Sequence, residues 1–422
     1  MPETLSPNTQ AILLLTAPLM LGRGTGKGSA ELLRPSEYQR LARHLVALER
    51  QPSDLLTPAA DGVIESCKDV VEPERMRTLL ARGFLLSQAL ERWQSRAIWV
   101  VSRADDGYPR LLKTKLKAKA PAVLYGCGNM ELLWREGLAV VGSRKVTDDL
   151  VEYASDVGAL AARAGHVVVS GGARGVDRAA MNGALAAGGQ VVGVLAEELE
   201  REAMHRKNRD ALRAGQLVLI SEYDPCSRFM IGHAMQRNKL IYAFAEHALV
   251  VNSDLDRGGT WAGATEQLDK LHFSKVFVRS TGPRSDALDA LRRRGAIAWP
   301  SPPSAPDLFA QLSAAAEGSC PSSEAAPEPV DDASPKNAPQ PSSADCTDPA
   351  AVLFHAVQRV VLEVLEVPRT ESEIAEALQV SKGQAREWLR RLSEEGVVER
   401  VGRPIRYRRA QSRLIGCEGA SS

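Results

Sequence analysis

Six apolar runs separated by amphipathic stretches organise the middle of the chain: "GLAVVGS", "HVVVSGG", "QVVGVLA", "LVLISEY", "HALVVNS" and "SKVFVRS". Runs that are apolar at successive rather than alternate positions predict strands buried on both faces, and helical intervals between them predict parallel connections. The fold class is therefore α/β, a Rossmann-like parallel sheet sandwich over residues 106–300. Upstream, over 1–105, apolar positions recur every three and four residues in "YQRLARHLVALERQ" and "RMRTLLARGFLLSQALERWQ", which predicts a small helical N-terminal domain. The stretch "AILLLTAPLML" is too short to span a bilayer and lacks the basic start of a signal peptide. It reads as a core helix of a cytoplasmic protein with no membrane partner.

Downstream the pattern lapses. Residues 301–350 are rich in Pro, Ser, Ala and Asp, with few side chains to bury, and predict a disordered linker. It resumes over 351–415. A helix over "AVLFHAVQRVVLEVLE" is followed by "TESEIAEAL", where Thr370 and Glu373 are spaced as a capping box, and by "QVSKGQAREWLRRLSEEG", where Ser381 and Gln384 form a second such pair. The tail "VVERVGRPIRYRR" alternates like a hairpin around Gly402–Pro404. Three helices and a hairpin predict a winged helix-turn-helix with Lys382–Glu395 as the recognition-type helix and Trp388 and Leu389 toward its core.

Composition narrows the chemistry. The formal net charge is +1 across 422 residues, so a nucleic-acid surface must come from local clustering. The six cysteines are scattered with no CxxC pair, which argues against a zinc site or a disulfide framework and fits a reducing compartment. "GRGTGKGS" (Gly22–Ser29) fails the Walker spacing, since Leu21 stands where its first glycine belongs and Gly28 follows Lys27, and reads as a loop.

Three strand ends carry turns of small residues, and in open parallel sheets ligands bind beyond the carboxyl ends of the strands. The first turn is Gly142, Ser143, Arg144 and Lys145. The second is Ser170, Gly171, Gly172, Arg174 and Gly175, running into a helix from about Val176 whose N-terminus favours anions. Arg174 offers a bidentate phosphate donor. Asp177 is an acid in an anion site and reads as a cap for helix N–H groups or a partner for an arginine. The third turn is Gly258, Gly259 and Thr260, before a helix starting near Trp261. Arg237, Asn238 and Lys239 add a basic element ahead of an apolar helix, while "RKNRDAL" (Arg206–Leu212) reads as a solvated face. The sequence "GGARGVD" is not G-x-G-x-x-G, and only Glu197 and Glu198 lie near the end of the next strand, so a dinucleotide is disfavoured. No cofactor and no metal are expected.

These segments together resemble the DprA/Smf family of bacterial DNA-processing proteins. "YPRLL" (Tyr108–Leu112) and "PAVLYGCG" (Pro121–Gly128) precede the sheet, and "VVGSRK", "VVSGGARGVDRAAMNGAL", "SEY" (Ser221–Tyr223) and "QRNKLI" follow in the family's order and spacing. The resemblance implies a Rossmann-like domain that binds single-stranded DNA without cutting it, dimerises, and delivers the strand to a RecA-type recombinase in DNA uptake or recombination. It implies that Arg144 and Arg174 hold DNA phosphates, that glycines 142, 171, 172 and 175 let the backbone approach, and that Lys239 stands where the family has arginine. The chain departs from the family at Met181, where histidine is usual, at Ala234–Gln236, which lacks Phe-Pro, and at "NSDLDRGGTWAGA".

Alternatives stay open at this point. "GGTWAGATE", with Glu266, leans toward the related LOG phosphoribohydrolases, which would make the chain a nucleotide enzyme with Asp177 or Glu222 as partner carboxylates. A role in mobile-DNA or defence systems fits the same residues. Tyr223, Phe229 and Trp261 are candidate base-stacking platforms that core packing would equally explain. From Arg400 to Arg413 the tail holds six arginines (400, 403, 406, 408, 409 and 413) and no acid. That fits either duplex contact by the winged helix or a protein-binding domain with a solvated edge.

Overall fold

In the computed structural model, residues 5–19, 31–135, 137–227, 231–301, 306–317, 349–365, 367–378, 380, 382–394, 397–401 and 406–409 are described. Gly22–Ser29, Phe229, Ser381, the Gly402–Pro404 turn, Arg413 and residues 318–348 of the expected linker lie outside them. The chain divides into two compact units, Met1–Glu324 and Ala325–Ser422. Among the described residues no helix is long and apolar enough to cross a membrane.

The six apolar runs all form strands, and three further strands join them. In chain order they are β1 (Ile98–Ser102), β2 (Val123–Gly128), β3 (Gly137–Val141), β4 (Val167–Ser170), β5 (Val191–Val194), β6 (Leu217–Ser221), β7 (Ala245–Val250), β8 (Lys275–Val278) and β9 (Ile297–Ala298). They make one sheet in the order β1-β2-β6-β5-β4-β3-β7-β8-β9. The pairs from β6 through to β9 are parallel, whereas β2 runs antiparallel to both β1 and β6. The sheet is thus parallel-dominated rather than wholly parallel. β3 is the point where the strand order reverses: β4, β5 and β6 step away on one side, β7, β8 and β9 on the other. The crevice at such a switch point is where ligands bind in open α/β sheets.

Alternate residues of β3 feed different cores. Leu138 and Val140 pack on one face, Ala139 and Val141 on the other. The first face is covered by the Asp148–Arg163 and Val176–Ala186 helices, through Val157 and Ala180. The same cluster includes Leu13 of the Pro7–Thr16 helix, Leu41, and Trp93, which meets Tyr125 of β2 edge-to-face at 5.1 Å. The N-terminal apolar stretch is the core helix its sequence predicts. The helices of 1–105 nevertheless share the sheet's core and do not form a separate unit, because their apolar stripes are buried against β2 and against one another.

The helix Leu308–Glu317 lies inside the stretch expected to be linker. Leu308 and Leu312 are fully buried in the sheet's core, and Phe309 stacks on His166 at 3.4 Å. Three well-placed apolar side chains outweigh the polar average of their surroundings. The second unit contains helices Pro349–Val364, Glu371–Ala377 and Lys382–Glu394, then β10 (Val398–Val401) antiparallel to β11 (Arg406–Arg409). Its core joins Val361, Ile374, Leu389, Leu392, Val398 and Tyr407, with Trp388 half-buried at the edge. The Thr370–Glu373 capping box forms: the Thr370 N–H donates to Glu373 Oε2 at 2.7 Å, and the Glu373 N–H to Thr370 Oγ1 at 3.4 Å.

Leu312→Ala is expected to lower the stability of the sheet unit by about 3 kcal/mol, the cost of a cavity at a fully buried leucine. Urea unfolding checks this; an unchanged midpoint would return the segment to linker.

Candidate nucleic-acid interface

The turns after β3, β4 and β7 are neighbours in space because their strands are neighbours in the sheet. What joins the first two is Asp177. It sits in the first turn of the Val176–Ala186 helix, and its carboxylate accepts hydrogen bonds from the backbone N–H groups of Gly142, Gly171 and Ala173. Its Oδ2 lies 3.8 Å from Arg237 Nη1, an ion pair too long for a hydrogen bond, with both side chains more than nine-tenths buried. Burial pushes the Asp177 carboxyl up, against the Arg237 charge and the three peptide donors. Burial likewise pulls the Arg237 guanidinium down, against Asp177 and Glu197. Arg237 Nε and Nη1 have no hydrogen-bond partner among the described residues.

This changes the role of several expected site residues. The peptide donors of Gly142 and Gly171 face an internal carboxylate, so the nest expected to take a phosphate is filled from within. Asp177 is the arginine partner that its sequence position suggests, but it does not cap its own helix: Gly175 is the N-cap, and the N–H groups that Asp177 accepts belong to the turns before the helix. Ser170 is fully buried and its hydroxyl donates to the Val140 carbonyl at 2.6 Å. Gly171 must be glycine, since a Cβ there would overlap Arg237 Nη1 and stand 2.6 Å from Asp177 Oδ2. Gly175 has φ +82°, and a Cβ would stand 2.5 Å from the Ser143 carbonyl oxygen. The glycines thus let the two turns approach each other, and Val176 N–H closes the contact on that carbonyl at 3.5 Å.

The third turn is drawn in by the Ile231–Ala243 helix. Arg237 points to Asp177, Asn238 Nδ2 donates to the Gly259 carbonyl at 3.0 Å, and Lys239 Nζ lies 3.3 Å from Glu266 Oε1. The following helix begins at Gly258 rather than near Trp261, with Gly259 and Thr260 in its first turn. Lys239 is therefore held by a carboxylate, and Trp261 is buried, which removes it as a stacking platform. Tyr223 stacks on His233 at 3.6 Å.

Arg144 and Arg174 remain on the outside of this assembly. Both are exposed, as is Lys145, and Arg174 makes no hydrogen bond or ion pair among the described residues. Gly172, at φ +65°, presents its carbonyl to Arg178 Nη2 at 3.1 Å, and Arg178 also meets Glu202 at 3.3 Å. Arg178, the third residue of the Val176–Ala186 helix, is not among the residues the sequence predicts for the site. Met181 is a core residue whose Cε reaches the backbone of β5 beside Gly193.

Residues 99–288 match the family model for DNA recombination-mediator protein A, and residues 360–407 match a model for FaeA-like protein. The chain is 27% identical over 191 residues to the DNA processing protein DprA of Bacillus subtilis (strain 168), a match covering 44% of this chain and 62% of the relative. It is 35% identical over 229 residues to a putative DNA processing protein DprA of Mycobacterium tuberculosis (strain ATCC 25618 / H37Rv), covering 49% and 56%. The chain thus spans 56–62% of the length of these curated relatives. The crystal structure of DNA processing protein A from Streptococcus pneumoniae aligns with a TM-score of 0.54 at 20% identity, over 73% of this chain and 98% of that one. That likeness shows a shared fold.

Removing Asp177 leaves Arg237 buried without its counter-charge and three N–H groups without an acceptor. Asp177→Ala is expected to cost about 3–5 kcal/mol in denaturant unfolding, with Asp177→Asn intermediate. A cost under about 1 kcal/mol, in the range of an exposed pair, would refute the organising role assigned to it.

Proposed function

We propose that through residues 99–288 this chain is a member of the DprA/Smf family of DNA-processing proteins, a reading supported by its match to the family model and its similarity to the curated relatives. On that basis it is a non-catalytic, cytoplasmic, single-stranded DNA-binding protein, acting in DNA uptake or recombination as a homodimer that hands its strand to a RecA-type recombinase. The observation that carries the DNA reading is the pair Arg144 and Arg174, exposed on the turns that follow adjacent strands, beside the buried Asp177–Arg237 pair. Two guanidinium groups on neighbouring turns suit successive phosphates of a strand better than a single small anion.

Ser143, Gly172 and Gly175 shape the outer surface between those arginines. Asn238, Gly259 and Thr260 bound it on the β7 side. Binding of this kind is driven by phosphate neutralisation and is indifferent to sequence. The nucleotide-hydrolase alternative rests on Glu266, which is tied to Lys239.

We read the second unit as a winged helix. Three of its hairpin arginines are engaged within the unit: Arg406 donates to the Pro368 carbonyl at 3.2 Å, Arg409 to the Leu362 carbonyl at 2.8 Å, and Arg408 to Glu399 at 2.7 Å. Arg386 is held by Glu371 at 2.9 Å. These ties favour a supporting role for the unit, with any duplex contact secondary to the sheet surface.

Arg174→Ala is expected to weaken single-strand affinity about tenfold and to reduce the salt slope by about 0.7, one phosphate contact on a single strand. Stability should stay within about 0.5 kcal/mol, as for an exposed side chain outside any network. Anisotropy of a labelled oligonucleotide across a salt series measures both. Equal affinity with an unaltered slope in the variant would remove Arg174 from the interface.

A further inference from the structure

Two carboxylates stand at the carboxyl ends of adjacent strands beside the cations just described. Glu197 follows β5 and Glu222 follows β6, and these strands pair in parallel register. Each has one buried oxygen with no hydrogen-bond partner among the described residues: Oε2 of Glu197 and Oε1 of Glu222. Neither is locked into a hydrogen-bonded ion pair. Glu197 feels Glu198, Arg144, Arg201 and Arg237, and of these Glu198 and Arg201 pair with each other at 2.7 Å. Glu222 accepts from the Tyr223 hydroxyl and feels Lys239, and its charge reaches the buried Tyr108. Lys239 is shared with Glu266.

The charge count matters for an anion site. Arg144, Arg237 and Lys239 are matched by Asp177, Glu197, Glu222 and Glu266, three cations against four carboxylates. With every group ionised these seven carry one net negative charge, which the exposed Arg174 and Lys145 at the edge offset. With Glu197 and Glu222 neutral, the balance turns positive and each acid gains a proton to donate. Buried polar groups rarely stay unsatisfied, and a neutral carboxyl has one O–H donor besides its acceptors.

We propose that Glu197 and Glu222 are part of the DNA-binding surface as neutral carboxylic acids that donate hydrogen bonds to the bound strand, so that binding takes up protons. The inference rests on the DNA-binding reading and adds two contacts and a proton stoichiometry to it. The ligand class follows from the chemistry: an anionic oxygen acceptor, as a phosphodiester presents. Burial pushes each carboxyl up to about 7, Glu198 adding to the effect at Glu197, while Arg144, Arg201 and Arg237, or Tyr223 and Lys239 at Glu222, oppose it. Burial therefore holds both acids well above the ordinary carboxylate range before DNA arrives. An incoming phosphate raises them further, because a nearby negative charge favours the neutral form.

The sign is fixed by linkage. The complex holds more protons than the free protein, so affinity rises as pH falls through about 7 and is lost as pH rises above it. His233, stacked on Tyr223, does not mimic this above its ordinary range, because burial lowers its affinity for a proton.

The test is anisotropy of labelled oligothymidylate with the full chain at constant ionic strength, from about pH 6 to about pH 8.5, where one proton taken up changes affinity by up to about tenfold per pH unit. Affinity is expected to fall at least tenfold across that range in the natural chain. Glu197→Gln and Glu222→Gln should each flatten the profile. The double variant, whose amides donate at every pH, should bind at the higher pH as tightly as the natural chain does at the lower. A flat profile in the natural chain, or an unaltered profile in the double variant, overturns the inference while leaving DNA binding intact. No binding at any pH defeats the DNA reading and this inference together. Calorimetry of the natural chain in two buffers of different ionisation enthalpy counts the protons without any variant: uptake near pH 7.5 supports the assignment, and zero uptake overturns it.

Discussion

The buried contact between Asp177 and Arg237 is the constraint on which the crevice depends. A carboxylate and a guanidinium are costly to remove from water, and the cost is met only where further hydrogen bonds satisfy them. Asp177 finds those bonds in the peptide N–H groups of two separate turns, so desolvating it draws the ends of β3 and β4 together. Arg237 fills the space that glycine leaves at 171. Turn shape, glycine positions and the seat of the Ile231–Ala243 helix are consequences of one electrostatic arrangement. The exposed arginines stand on turns whose backbone this arrangement ties together.

Much of the fold is legible in the hydrophobic pattern, because a strand buried on both faces leaves an unmistakable apolar run. The three added strands escaped it for separate reasons. β1, "IWVVS", follows directly on a long helical stretch and looks like its continuation. β2 ends in "GCG", which reads as a turn, and β9 is two residues long. The helix at 308–317 was hidden by the prolines and serines around it, though Leu308, Phe309 and Leu312 carry helical spacing. The separate N-terminal domain was a natural expectation from periodicity, which reports that a helix has an apolar face but not what covers it.

The site was legible in its parts and illegible in its pairing. Gly171, Arg174 and the turns are local features, and a strand-to-helix turn writes them in one short segment. The Asp177–Arg237 contact joins residues sixty positions apart, and an arginine before an apolar helix reads the same whether it faces solvent or a buried acid. The same blindness applies to charge. A chain of net charge +1 can present exposed cations on its strand-end turns and partly buried acids on the neighbouring ones. Which of the two an approaching phosphate meets depends on protonation, a variable that no residue count contains.

Three consecutive residues of one helix, Arg237, Asn238 and Lys239, reach three different places. Successive side chains on an α-helix diverge by about 100°, so these three contacts grip the cylinder around more than half its circumference. A helix held this way can neither roll nor slide by a residue without breaking all of them at once. In evolutionary terms the tripeptide is a register mark. Point substitutions within it can be answered one contact at a time, but a single insertion or deletion there has no partial remedy. Length variation in this lineage should therefore accumulate in the loops on either side and spare the mark itself.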